Sequence, residues 1–326
     1  MRRTLAALLL GLAALLADCA PKMQPPRTPG PPLAWAYPKA DTTNFTPPAG
    51  PGPFHVPGST LAFSKAQVAD DGNPPDWFPG EHPAAPAVVA HDPGRGPTPC
   101  ASCHLYNGEG FLGTPGLDGL SAAYIIEQVR AFRSGERRSA EPGRPATGEM
   151  IKVAQQVSDV DLARAAAYFA GLPHPPRLTV VETAMVPKTT PDKFGWLDIV
   201  PNGGREPIGR RVIEVSADMD HMLLADDHVS LIDYAPPGSL ARGAALVASG
   251  GPGGQPCRSC HGAALHGVGD VPPLAGRSAP YLARMLVDIR TGARGGATVA
   301  QMQGPARGLS DDQVTDVVAY LASLKP

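Results

Sequence analysis

Aromatic residues and net charge are both scarce in this chain of 326 residues. Phe, Trp and Tyr make up 6 % of the sequence, so a large aromatic core is not expected. The formal net charge is −2 at pH 7, which leaves no basic field to hold a nucleic acid. In contrast, there are 37 glycines and 39 prolines. These disfavour long regular elements and suggest that something other than side chains fills the core.

The first segment of the chain predicts export from the cytoplasm. Two arginines precede an apolar run over residues 4–17, which is too short to span a bilayer comfortably and is typical of a signal peptide. The run leads into Leu16-Ala17-Asp18-Cys19, which resembles a bacterial lipobox, although Asp18 replaces the usual small residue. Ordinary cleavage close to this point is the alternative. We therefore expect a signal peptide over 1–19 and a periplasmic location, with Cys19 as a candidate lipid anchor.

Four of the five cysteines belong to two copies of one motif. The copies are Cys100-Ala-Ser-Cys103-His104 and Cys257-Arg-Ser-Cys260-His261. Cys-x-x-Cys-His is the attachment signature of haem c, because two thiols at this spacing reach the two vinyl groups of one porphyrin and the next histidine ligates the iron. A zinc site or a thioredoxin-type dithiol would explain the cysteines but not the two histidines. The sequence predicts two covalently bound haem c groups.

The segments that follow the two motifs form an internal repeat. Leu117 and Leu274 lie 13 residues after their motif histidine, and Gly135 and Gly292 lie 31 after it. Beyond a loop that differs in length by five residues, the register resumes. The later matches pair Met150 with Met302, Ser158 with Ser310, Tyr168 with Tyr320 and Leu172 with Leu324. One domain is used twice.

Serine and glycine punctuate the predicted helices of each repeat. Ser121 and Ser278 precede apolar-periodic runs that end at Gly135 and Gly292, as N-caps and C-terminal glycines do. The later serines of the repeat open final helices that reach Leu172 and Leu324. An opening helix is clear only in the second repeat, over Ser239 to Ala248, because prolines interrupt the corresponding part of the first.

This order of motif, middle helix, methionine in a loop and Ser-capped final helix resembles class I cytochrome c, over about residues 81–175 and 238–326. The resemblance implies a mainly α fold of two haem domains, with Met150 and Met302 as sixth iron ligands opposite His104 and His261. His/Met ligation raises the reduction potential. It also implies that a proline carbonyl, here that of Pro273, holds the motif imidazole. Arg133 and Arg290 repeat as well, and either haem propionates or solvent could face them.

Two segments fall outside the repeat. Residues 20–80 are predicted to be a Pro-rich tether and N-terminal extension, within which residues 56–78 are candidates to pack on the first domain. Residues 176–237 carry three β-like runs, Leu178–Val181, Arg211–Val215 and Val229–Tyr234, which suggest a small sheet. This segment also holds an Asp/His cluster around Asp218 and His221, which solvated turns explain better than a second metal site.

The resemblance implies a carrier of single electrons rather than an enzyme. Its partners would be an exported dehydrogenase or respiratory complex and a redox acceptor, with no nucleic acid. Two alternatives remain: a di-haem peroxidase-type enzyme, in which one iron opens to substrate, and a haem subunit of a dehydrogenase complex. Methionine on both irons would leave no open coordination position, which favours the carrier.

Overall fold

Helices form most of the regular structure in the residues that the computed structural model describes, 33–41, 43, 47–91 and 96–326. None of the helices in these ranges is both long and apolar enough to cross a membrane. The predicted signal peptide and Cys19 lie outside them. The α-helices are α1 Lys65–Val68, α2 Ala87–Ala90, α3 Ala101–His104, α4 Ala122–Ser134, α5 Pro145–Gln156, α6 Asp159–Ala170, α7 Met219–Leu223, α8 Ser239–Ser249, α9 Arg258–His261, α10 Ala279–Thr291, α11 Gln303–Gly308 and α12 Asp311–Ser323. Turns of 3-10 helix cover Ala34–Ala36, Gly251–Gly253 and Ala297–Met302.

Short strands form three small sheets between the two repeats. They are β1 Leu178–Glu182, β2 Met185–Pro187, β3 Thr189–Pro191, β4 Leu197–Ile199, β5 Arg205–Pro207, β6 Ile213–Ser216 and β7 Leu231–Ala235. The main sheet has the order β1-β7-β6, with β1 parallel and β6 antiparallel to the central β7. Its three strands are those predicted from sequence, shifted by up to two residues. The pairs β2–β5 and β3–β4 were not predicted.

The middle helices α4 and α10 begin and end as the repeat predicts. The Ser121 hydroxyl accepts a hydrogen bond from the Tyr124 amide at 3.1 Å, and the Ser278 hydroxyl accepts one from the Tyr281 amide at 3.3 Å. Both helices stop at a glycine with φ near +80°, a conformation that costs glycine little because it has no Cβ. These two helices form matching walls of the two domains.

Each domain has its own core of packed helices. In the first, α2, α4 and α6 enclose a cluster around Phe169, which is 1 % exposed. In the second, α8, α10 and α12 enclose a larger cluster that includes Val247 and Val318. The full-length α8 has only the single turn α2 as its counterpart in the first domain, which confirms the expected difference.

An N-terminal strap, residues 33–37, packs against the second domain. Leu33, Ala36 and Tyr37 are buried in the same cluster as α10 and α12. Within the segment predicted to be a Pro-rich tether, this stretch is therefore packed against a domain. This stretch makes few backbone hydrogen bonds, but burial of the Leu33 and Tyr37 side chains stabilises its packed position.

Residues 54–78 contact both the first domain and the inserted segment. The Ser102 hydroxyl donates to the Asp71 carbonyl at 2.6 Å, and the Tyr106 hydroxyl donates to the Pro74 carbonyl at 3.3 Å. The apolar side chains of this segment gather around Trp77 and pack on Leu224 of the insert. Residues 56–78 thus contact the first domain through hydrogen bonds, whereas their apolar side chains pack on the insert instead of the first domain as predicted.

Candidate functional site

Both motifs adopt the same short helical turn. Cys100 precedes α3 and Cys257 precedes α9, so each motif's two cysteines lie about one helical turn apart. The backbone amides of these two cysteines donate at 3.1 Å to the carbonyls of Val88 and Val247, on the helices that open the domains. All four thiols are free of disulfide bonds. The geometry leaves each pair available to one porphyrin edge.

The two motif histidines are buried and held by a proline carbonyl. His104 Nδ1 donates to the Pro115 carbonyl at 3.0 Å, and His261 Nδ1 donates to the Pro272 carbonyl at 2.8 Å. Since Nδ1 carries the proton, Nε2 keeps its lone pair for a metal. Burial lowers the pKa of His104 to about 4 and also lowers that of His261, so both imidazoles are neutral at pH 7.

The prolines correct one sequence prediction. Pro273 was expected to hold the second histidine, but the contact comes from Pro272. Pro115 and Pro272 both lie 11 residues after their histidine, so the repeat is in register at this point too. Because Pro273 directly follows Pro272, the sequence alone did not show which of the two matches Pro115.

The residues predicted to bind the first haem line one cavity. Cys100, Cys103, His104 and Met150 all contribute to a cavity of about 210 Å³. Its walls are apolar side chains from α4, α6 and the loop before α4, namely Leu117, Leu120, Ile125, Val129, Phe132, Leu162 and Phe169. A flat hydrophobic macrocycle with thiol-reactive vinyl groups fits this donor set and lining.

The two predicted methionine ligands lie on helices rather than in loops. Met150 is inside α5 and packs against Val129 and Ala154. Met302 ends the 3-10 turn before α11 and packs against Ile289 and Val299. The expected loop is wrong in both domains, because α5 starts at Pro145, whose fixed φ favours the first turn of a helix.

In the second domain, His261 carries the clearest sign of a missing metal partner. Its Nε2 atom is buried and has no hydrogen-bond partner among the described residues. An unpaired buried nitrogen of this kind is costly unless a ligand occupies it. The site residues therefore fit an iron on this face of the imidazole.

Arginines gather at the inner edge of the first cavity. Arg137, Arg138, Arg144 and Arg284 line it. The proximity of Arg284 lowers the pKa of Arg144 to about 9, which reflects repulsion between two cations in a buried place. The two carboxylates of a haem would relieve that repulsion.

The sequence left open whether Arg133 and Arg290 face haem propionates or solvent, and the structure gives both of them a different role. Arg133 donates to the carbonyls of Ala154 and Val157 and to the Asp159 carboxylate, each at 2.8 Å. Arg290 donates to the Asp311 carboxylate at 2.7 Å. Each arginine therefore ties the middle helix of its domain to the start of the final helix, and Arg133 also braces the helix that carries Met150.

The two domains contact each other through equivalent residues. The Arg138 amide donates to the Ala293 carbonyl and the Gly295 amide donates to the Glu136 carbonyl, both at 2.7 Å. These are the same positions of the repeat with their roles exchanged, as in an isologous interface. Sequence reasoning missed this contact, although the repeated Arg137 and Arg294 were a readable signal.

Arg137 and Arg294 form the centre of the interface. Both donate to the side-chain oxygen of Gln128, at 2.7 and 2.9 Å, and both lie within 3.3 Å of the Met285 sulfur. Gln128 and Met285 occupy equivalent positions of the repeat. Met285 is thus an acceptor between the domains.

Histidines outside the motifs have ordinary partners where the structure gives a contact. His82 pairs with Asp76, His174 with Asp118, His221 with Asp218 and His228 with Glu81. No group of three or more His, Cys, Asp or Glu side chains in the described ranges is arranged to hold a metal ion. The Asp/His cluster of the insert is a set of such pairs.

Comparison with known proteins identifies the repeated domain. The cytochrome c family model matches residues 98–173 and 240–325. A thiosulfate dehydrogenase electron acceptor from Stutzerimonas stutzeri (strain A1501) is 27 % identical over 269 residues, which cover 82 % of this chain and 92 % of that protein. Cytochrome c-554(548) from Halomonas halodenitrificans is 40 % identical over 68 residues, which cover 21 % of this chain and 82 % of that one.

A solved structure shows a more distant likeness. Thiosulfate dehydrogenase (TsdBA) from Marichromatium purpuratum superposes with a TM-score of 0.45 at 26 % identity. The match covers 70 % of this chain and only 37 % of that one, so the chain spans just over a third of that protein. The family match in both halves, the two attachment motifs and the fitted cavity agree. The chain belongs to the cytochrome c family and is an electron-transfer protein with two domains, each with a covalently bound haem c.

Proposed function

We propose that this chain is a two-haem electron carrier that works outside the cytoplasm. It would accept single electrons from an exported dehydrogenase of the thiosulfate-oxidising type and pass them to a second redox protein. The similarity to the thiosulfate dehydrogenase electron acceptor from Stutzerimonas stutzeri, over most of both chains, supports this choice of donor. Each haem, when bound, would supply one site that takes up a single electron, so one molecule would carry two.

We assign His104 and Met150 to the first iron and His261 and Met302 to the second, with thioethers from Cys100, Cys103, Cys257 and Cys260. The observation that carries this assignment is the single cavity that both thiols, His104 and Met150 share. The second set follows from the repeat. Thioether sulfur is a soft ligand that raises the potential of the iron, which suits a carrier.

The contact between the domains supports electron exchange within one molecule. The cavity of the first haem is also lined by Tyr281, Arg284 and Met285 of the second domain. Protein of the second domain, and not bulk water, would therefore border the first haem on this side. The chain's own residues bind the porphyrins, orient the imidazoles and exclude water.

Substitution of the methionines tests the ligand assignment. In protein matured in a host that attaches haem, Met150→Ala and Met302→Ala should each remove about half of the weak sulfur-to-iron absorption band of the ferric protein and lower one of two midpoint potentials. Met285→Ala is the matched control, because it lines the same cavity but bonds arginines. A full band in either ligand variant would contradict the assignment.

Potentiometry and turnover together separate the carrier from an enzyme. The carrier requires two reversible couples and electron acceptance from a thiosulfate-oxidising dehydrogenase. Peroxide turnover by the half-reduced protein would instead support the peroxidase alternative. Stable co-purification of this protein with a catalytic chain would support the second alternative, a haem subunit of a dehydrogenase complex.

We further propose a periplasmic location with a lipid anchor on Cys19. The arginine pair, the apolar run and the lipobox-like end support it. Labelled fatty acid should enter the wild-type protein, and Cys19→Ser should abolish the label and move the protein from the membrane to the soluble fraction. Unchanged fractionation would contradict the anchor.

A further inference from the structure

Two buried carboxyl groups face each other in the inserted sheet. Glu214 on β6 and Asp233 on β7 are register partners and are 4 % and 0 % exposed. Glu214 Oε1 accepts a hydrogen bond from the Gly113 amide at 3.2 Å, and Asp233 Oδ2 accepts one from the Ala279 amide at 3.1 Å. The second oxygen of each group, Glu214 Oε2 and Asp233 Oδ1, is buried without a hydrogen-bond donor.

One proton between these two oxygens satisfies both of them. Two carboxylates buried as register partners on adjacent strands cannot both be ionised. Burial, and next the neighbouring Glu214, hold the pKa of Asp233 well above its usual range. Asp233 is therefore the neutral acid, which can donate a hydrogen bond to Glu214, and Glu214 also accepts one from the Gly113 amide.

The carboxyl pair lies beside the cavity of the first haem. Glu214 lines a small cavity of about 20 Å³, whose lining shares Gly113, Arg144 and Arg284 with the haem cavity. This volume exceeds the roughly 10–15 Å³ that one water needs. The Trp35 indole N–H also lines it and has no other partner. The pair thus has a place for a water through which a proton can move.

The same residues connect the pair to the axial histidine. Gly113 donates to Glu214 through its amide and accepts from Arg284 Nη2 at 2.8 Å through its carbonyl. Two residues later, Pro115 holds His104. Charge on the pair is therefore adjacent to the segment that orients the iron ligand.

The other titratable groups near the pair come from α10, the strap and the residue before α5. Arg284 interacts with Glu214, and also with Tyr37, Asp288 and Tyr281. Arg144 lines the same small cavity as Glu214. On the far side of Asp233, its register partner on β1 is the uncharged Val180. These arginines are shared with the haem edge, so a change of charge at the haem is felt at the pair.

We propose that Asp233, together with Glu214, is a proton-binding site linked to the oxidation state of the first haem. The inference rests on the proposed electron-carrier function. At an alkaline pH, where Asp233 is ionised while the first haem is oxidised, reduction of that haem by the donor would favour uptake of one proton from solvent by the Asp233 carboxylate. Reoxidation releases that electron to the acceptor and that proton to solvent. By linkage, proton binding raises the potential of this haem.

The expected signature is a pH-dependent potential at one haem only. Between the Asp233 pKa values of the oxidised and reduced states, the first haem's potential should fall by up to 59 mV for each tenfold fall in proton concentration. Below that window it should be constant. Met150→Ala identifies the couple of the first haem.

Asp233→Asn tests the site and preserves its hydrogen bonds. The amide nitrogen can donate to Glu214, and its oxygen can accept from Ala279, but the group cannot titrate. The slope should vanish at the first haem. Asp220→Asn, an exposed change of the same charge within the same insert, should leave it unchanged.

Infrared difference spectra of the wild-type protein give a second readout, which detects the protonated carboxyl group directly. Reduction of the first haem at alkaline pH should produce a protonated-carboxyl C=O band that shifts in D₂O and is lost in Asp233→Asn. An unchanged slope in Asp233→Asn, or no such band in the wild type, would overturn the inference alone. Failure to find two reversible couples in the wild type would overturn the proposed function as well.

Discussion

Asp118, in the loop between α3 and α4 of the first domain, connects this loop to the second domain. Its side chain is fully buried and pairs with Arg277 of the second domain at 3.1 Å and with His174. Asp118 lies three residues after Pro115, the residue whose carbonyl holds His104. One carboxylate therefore stabilises both the domain contact and the segment that holds His104.

We expect Asp118→Ala to destabilise the protein strongly. Removal of one partner of a buried ion pair leaves an uncompensated charge, which costs about 3–5 kcal/mol. Urea unfolding followed by circular dichroism measures the loss. Lys152→Ala removes an exposed ion pair with Glu149 and should cost under about 1 kcal/mol. Similar losses in the two variants would contradict a special role for Asp118.

Among the secondary-structure elements, the closest approach is between α8 and α12. A Cβ added at Gly243 would lie 2.1 Å from the Asp316 carbonyl oxygen and 2.6 Å from Tyr320 Cβ. Backbone cannot yield as a flexible side chain can, so only glycine allows this crossing. Arg242 next to it donates to the Asp316 carboxylate at 2.8 and 2.9 Å, which fixes the same crossing from its rim.

Gly243→Ala should therefore destabilise the second domain. Overpacking costs about 1–3 kcal/mol and exceeds the gain in helix propensity of about 1 kcal/mol. Gly148→Ala on α5 is the control, because an added Cβ there meets no atom within 4 Å. Thermal melts should show a lower midpoint for the first variant and an equal or higher one for the second. The reverse order would refute the tight crossing.

The repeat made most helices predictable, because local signals define them. The Ser121 cap, the Gly135 stop and the strands of the main sheet follow from propensity and pattern. The helical setting of Met150 did not follow, since Pro145 was not recognised as a helix start. Contacts between distant segments, such as that of Glu214 with Gly113, leave no local pattern in a single sequence.

At the level of the whole molecule, the strap and the insert join the two haem domains. The Tyr37 hydroxyl donates to the Asp288 carboxylate at 2.7 Å, and the same carboxylate accepts from the Ala140 amide of the first domain at 2.7 Å. The strap, the second domain and the first domain thus meet at one buried carboxylate. Residues 33–326 belong to one compact unit.

We expect a single unfolding transition for this unit, with haem absorbance and far-ultraviolet circular dichroism changing together. Tyr37→Phe should shift both probes equally and cost about 1–3 kcal/mol, because it removes a buried donor from Asp288. Lys39→Ala, an exposed change two residues away, should have little effect. Separate transitions for the two probes would show that the domains unfold independently.

The reciprocal hydrogen bonds between residues 136–138 and 293–295 have a consequence for how the molecule behaves on dilution. A pair of one-haem cytochromes joined by the same contact would dissociate as the protein becomes scarce. Here one polypeptide carries both halves, so each half is always present for the other at a high effective concentration. The proposed electron sharing between the haems would then follow first-order kinetics, however little protein the cell makes.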